Sequence, residues 1–192
     1  MEFLTQLWLP ILLAAVFVFM ASSIFHMAIP IHKSDHKKMP GEDEILALMR
    51  EKAVGPAQYM FPHADSMKDF GTPQMQKKWE QGPIGIVRVM TPGGFNMGKN
   101  LALWYLYSAV VGLFAAYAAW HGVGGAGAEY LPVFRIVGTV AIAAYSVASV
   151  VDSIWKGQAW SITAKFVFEG VLYGLVTAGT FAWLWPEAAA SV

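Results

Sequence analysis

Long apolar runs and one extended polar stretch divide the chain. Residues 4–29 are almost unbroken in apolar side chains, a polar block fills 31–99, and apolar runs return over 100–120, 131–154 and 161–185. About 20 apolar residues cross a bilayer core as a helix, so each run predicts one span. The expected fold class is an all-α membrane protein: four transmembrane helices with a loop-rich cytoplasmic insertion, 31–99, between helices 1 and 2. A cleaved signal peptide fits the first run poorly, because no basic residue precedes it and it is longer than a normal signal core.

The last three spans follow one another through short connections and are expected to pack as antiparallel neighbours. Small residues four apart supply close seams: Ser108, Gly112 and Ala116 on the second span, Ala144 and Ala148 on the third, and Gly170, Gly174 and Ala178 on the fourth. The first span is richer in Phe and Leu. It reads as peripheral in the bundle, or as facing a partner.

Within the polar block, seven of the ten prolines fall between Pro30 and Pro92, which cuts it into short pieces. Residues 42–52 pattern as an amphipathic helix with acids first. Residues 58–63 read as an aromatic loop or extended segment. Thr72 and Pro73 read as the N-cap and first position of a helix ending near Gly82. Residues 84–90 are β-like.

Charge then sets orientation. Lys and Arg total thirteen, as do Asp and Glu, so the balanced sum gives no reason to expect nucleic acid. The distribution is uneven: twelve of the thirteen basic residues lie on the side of the polar block, and only Arg135 lies opposite. The positive-inside rule puts 31–99 in the cytoplasm and both termini outside, as in a bacterial inner-membrane protein. Lys33, Lys37 and Lys38 at one membrane junction, and Lys99 with Asn100 at the other, are candidates for holding anionic lipid headgroups.

Three constellations carry candidate chemistry. The run from Gly93 to Asn100 approaches a phosphate-binding loop, but Asn100 stands where Ser or Thr would hold Mg²⁺ and a membrane span follows, so nucleotide binding is rejected. His32 and His36 are four apart, with His63 further on, and make weak metal candidates; the prolines at 30 and 40 leave little room for a helix presenting the first two. The third is intramembrane. Ionisable side chains inside spans are costly and mark functional sites by default. His26, Asp152, Lys165 and Glu169 fall at similar depth near the cytoplasmic face and form an expected polar cluster, with Asp152 and Lys165 paired. The alternative is that these groups only staple helices together.

The chain has no cysteine, which excludes thiol nucleophiles and thiolate metal sites. No catalytic triad and no haem-attachment motif is present, so no cofactor is expected. The stretches His32-Lys-Ser-Asp35, Gly55-Pro-Ala-Gln-Tyr-Met-Phe-Pro62, Asn96-Met-Gly-Lys-Asn100 and Ser153-Ile-Trp-Lys-Gly-Gln-Ala-Trp-Ser-Ile-Thr-Ala-Lys165 resemble a family of small bacterial four-span integral membrane proteins of unassigned function. That resemblance implies no activity and no site residue. The leading expectation is a non-enzymatic accessory subunit or scaffold, with the bilayer, anionic headgroups and other membrane subunits or a second copy as partners. A small transporter or membrane enzyme using the polar cluster, and a cytoplasmic metal-binding loop, are the alternatives.

Overall fold

The computed structural model describes residues 2–93 and 96–188. It divides into two compact units, one built from Met1–His36 with Asn96–Val192 and the other from Lys37–Phe95. Among the described residues, the first unit contains four helices long and apolar enough to cross a membrane: Glu2–Ala28, Met97–Val123, Tyr130–Trp155 and Trp160–Trp183. The protein is therefore an integral membrane protein of the all-α class.

Helix α1 (Glu2–Ser23) continues through a π-turn, Ile24–Ala28. The smaller unit holds α2 (Glu42–Glu51), strand β1 (Ala57–Phe61), α3 (Met67–Phe70), α4 (Pro73–Gln81) and strand β2 (Gly85–Val89). The two strands pair antiparallel from Ala57 opposite Val89 to Phe61 opposite Gly85, so the two β-like segments close on each other. Thr72 caps α4 by accepting the Met75 N–H at 3.3 Å, and Met75 is the buried apolar residue of that helix.

Returning to the first unit, α5 (Met97–Val123) begins three residues earlier than the sequence pattern suggests. The cap is Asn96, whose side chain accepts the Lys99 N–H at 3.0 Å; Asn100 already lies in the first turn. Gly94 of the rejected phosphate-loop motif lies outside the described residues. Gly124, at φ 82°, ends α5 in the left-handed conformation that glycine adopts without a Cβ clash. The third span is α6 (Tyr130–Ile142), a π-turn (Ala143–Val147) and α7 (Ala148–Trp155). The fourth is α8 (Trp160–Trp183).

Helix α1 packs on α5 and α8, and α6 packs on the same two, so α1 and α6 stand on opposite corners of a four-helix bundle. The first span is thus not peripheral: Leu7, Ala14, Ala15 and Val18 are essentially fully buried. Gly112 on α5 faces it, and a Cβ there would make ordinary contact with the Ile11 carbonyl oxygen at 3.5 Å. On α8 the small-residue seam faces the third span as expected. Gly170 abuts Tyr145 and Ser146, Gly174 abuts Ile142, and Ala178 lies beside Gly138.

The third span meets that seam through different residues from those its spacing suggests. Its buried positions are Val133, Val137, Gly138 and Ala141, then Ser146, whereas Ala148 is exposed. The π-turn inserts one residue into the helical repeat and rotates the face that follows. The Ala144 carbonyl within that turn accepts a hydrogen bond from the Tyr107 hydroxyl at 3.0 Å. Around the bundle the outward side chains are apolar, among them Leu12, Val16, Met20, Leu106, Phe114 and Phe168, as a lipid-facing surface requires.

Candidate metal centre

The polar site forms where α1 ends. The π-turn turns His26 so that its Nδ1 meets the Ser22 carbonyl oxygen at 2.9 Å. Ile29, preceding Pro30, is extended, as a residue before proline tends to be, and ends the helix. A single 3-10 turn, Pro30–His32, then folds the chain back. The fold-back delivers His32 and Asp35 to one face of α8.

That face carries Lys165, Glu169 and Tyr173, spaced four apart so that they stack on successive turns. His32 sits between two carboxylates. Its Nδ1 is 2.6 Å from Asp35 Oδ2 and its Nε2 is 2.7 Å from Glu169 Oε1. Lys165 Nζ donates to Asp35 Oδ1 at 2.5 Å and to Ser34 Oγ at 3.1 Å. The Tyr173 hydroxyl donates to Glu169 Oε2 at 3.3 Å. Phe166 stacks on the His32 ring with centroids 5.2 Å apart, and the His26 ring stacks on it at 4.8 Å.

Burial gives these contacts their weight. The Glu169 side chain is 2% exposed and that of Asp35 5%, whereas His32 is 18% exposed and the His26 residue lies on the open side. A buried carboxylate is tolerated only when paired and hydrogen-bonded. Burial opposes charge on His32, but the hydrogen bonds to Asp35 and Glu169 and their negative charges outweigh it, so His32 titrates above an ordinary imidazole. For Asp35, burial favours the neutral acid. The bonds from Lys165 and His32 overcome that and hold its carboxyl below the usual range. Deeper in the bundle, the Trp104 Nε1–H donates to Ser22 Oγ at 2.9 Å and its ring lies against Tyr173, closing the inner side with aromatic groups.

His26 and Glu169 lie together at this site, and Lys165 reaches it through Asp35. Asp152 does not join them. It pairs with Lys156, one turn along the same helix, at 2.6 Å, and both side chains are substantially exposed. The partner of Lys165 is Asp35 instead, because the returning segment reaches α8 on the face that Lys165 occupies. His36 is exposed beyond the fold-back, and His63 lies in the smaller unit with Asp65 3.8 Å away, both largely exposed. Lys33, Lys37, Lys38, Lys99 and Asn100 are exposed.

One ligand atom from each of His26, His32 and Glu169 lies within 4.8 Å of the others. This set differs from the His32, His36 and His63 grouping that sequence spacing suggests. Its members come from three segments, with His32 and Glu169 137 positions apart in sequence. A surface cleft of about 450 Å³ at the α5–α6 connection, around Gly122, Pro132 and Arg135, contains none of these residues. Its walls are mostly apolar, so the polar cluster rather than the cleft carries the chemistry. Compared with protein-family models, curated proteins and solved structures, the chain shows no match.

Proposed function

We propose that the protein is an integral membrane metal-binding protein whose centre is formed by His26, His32 and Glu169. One observation carries this reading: two imidazoles and a buried carboxylate bring ligand atoms within 4.8 Å of one another. His26 Nδ1 meets the Ser22 carbonyl and His32 Nδ1 meets Asp35, while His32 Nε2 already bonds Glu169, so an ion would replace the proton between those two groups. Metal-ligating histidines characteristically bond a carbonyl or carboxylate through the other nitrogen, which fixes tautomer and ring orientation.

Distance agrees with this. Metal bonds of about 2.0–2.1 Å place adjacent ligand atoms about 3 Å apart. His32 Nε2 and Glu169 Oε1, now 2.7 Å apart, need separate only slightly to admit an ion. Two histidines, one carboxylate and no thiolate suit a divalent first-row ion such as Zn²⁺, Fe²⁺ or Mn²⁺. The excess of basic residues on the side of 31–99 supports placing this end of the bundle in the cytoplasm with both termini outside, in a bacterial inner membrane.

The reading takes precedence over an accessory-subunit or scaffold role because it rests on converging ligand atoms, whereas the apolar outer faces are explained by lipid alone. It also names the groups that a transporter or a membrane enzyme would use. The test is metal analysis of the full chain purified without chelators. We expect about one equivalent of a transition metal per chain, lost in His32→Ala and Glu169→Gln. Wild-type protein that takes up no Zn²⁺, Fe²⁺ or Mn²⁺ from solution would overturn the reading.

A further inference from the structure

We propose that this centre binds a small monoanion, an oxygen or nitrogen donor of carboxylate or azide size, at an open position on the metal, with Lys165 supplying the balancing charge. The inference rests on the metal reading above and adds to it a ligand class.

Charge counting leads there. Histidines bind metal as neutral imidazoles. The centre then comprises Glu169 and Asp35, two negative charges, against Lys165 and a divalent ion, three positive. The remainder is one positive charge beside side chains that are 2% and 5% exposed. Uncompensated charge in such surroundings is costly. Neutral water at the metal leaves the imbalance in place, whereas one monoanion removes it.

Coordination and access agree with the count. Three protein ligands leave a tetrahedral ion one free position, the arrangement of zinc sites that take an exchangeable ligand. The position has a way in, because His26 lies on the exposed side while Glu169, Tyr173 and Trp104 close the inner side. Lys165 stands beside the centre through Asp35, the partner that it shares with His32, so its charge acts on a bound anion at short range. An ammonium carries three donors, and Ser34 Oγ and Asp35 Oδ1 engage two of them.

The experiment uses full-length protein in detergent, loaded with Co²⁺ in chloride-free buffer, with the visible absorption of the cobalt as the readout. Sodium azide is titrated first and acetate second. We expect a saturable change in the cobalt bands with both. Lys165→Met should weaken azide binding about tenfold, the effect of one nearby charge in a partly screened site, and Lys165→Arg should keep it. Cobalt bands that form but do not respond to either anion overturn the monoanion proposal and leave the metal reading intact. Absence of cobalt bands overturns both. Unchanged azide affinity in a folded Lys165→Met variant removes the role of Lys165. Should that variant fail to fold, the wild-type titration alone decides whether an anion binds.

Discussion

Glu169 accepts the Nε2–H of His32 at 2.7 Å across 137 residues of chain, and this contact fastens the end of the first span to the fourth. Both groups are largely out of contact with water, so the pair is worth most when intact. Removing one partner of a buried pair leaves the other uncompensated, at about 3–5 kcal/mol, whereas apolar replacement of both is often nearly neutral. His32→Leu alone should therefore cost metal-free protein about 3 kcal/mol. The double variant with Glu169→Leu should recover a large part of that. Thermal unfolding of the four members of the cycle in detergent measures the coupling, and strictly additive losses would contradict it.

The seam between α8 and the third span gives a second prediction. A Cβ on Gly170 would lie 2.5 Å from Ser146 Oγ and 2.7 Å from the Tyr145 carbonyl carbon and oxygen. The Tyr145 backbone sits in the π-turn and has little freedom to withdraw. Gly170→Ala should destabilise the bundle by about 1–3 kcal/mol through overpacking. At Gly112 the nearest atoms would lie 3.5–3.7 Å away, ordinary contact, so Gly112→Ala should be close to neutral. Comparing the two unfolding midpoints under one set of conditions checks the difference.

The four spans were legible because membrane insertion imposes long apolar runs that no local context can disguise. His26, Lys165 and Glu169 were legible for the converse reason, as ionisable groups in such runs. Depth along a helix is readable from position, but direction around it is not. Asp152 has the right depth and points away, where Lys156 already satisfies it. The π-turn at Ala143–Val147 left no clear mark in composition, yet it moves the packing face and puts Ala148 outside. His32 groups with His36 in the sequence because spacing is the only relation a sequence displays. Its actual partners, Glu169 directly and Lys165 through Asp35, depend on the fold-back at Pro30.

The contrast between Asp35 and Asp152 separates groups that orient a ligand from groups that decorate a surface. Asp35 bonds the non-coordinating nitrogen of His32, so Asp35→Asn should weaken metal affinity about 10–100-fold, the usual cost of losing such a partner. The Asp152–Lys156 pair is exposed at both ends, and such pairs contribute well under about 1 kcal/mol. Asp152→Asn should leave both affinity and unfolding temperature unchanged. Competition against a chromophoric chelator, run on both variants side by side, gives the affinities.

Metal should also stabilise the fold, because its three ligands come from the π-turn, the fold-back and α8 and converge only in the native state. An ion at 100 times its dissociation constant adds about 2.7 kcal/mol to a state that alone binds it. Stripping the protein with a chelator should lower its unfolding temperature, and returning Zn²⁺ should restore it. The restoration should be missing in His26→Ala, where one ligand is gone while the contacts of His32 with Asp35 and Glu169 remain possible. A wild-type unfolding temperature indifferent to both chelator and added ion would mean that the three groups hold the bundle together as a hydrogen-bonded cluster without a metal. In that case His32→Leu would still be destabilising, so the two measurements together distinguish a metal centre from a polar staple.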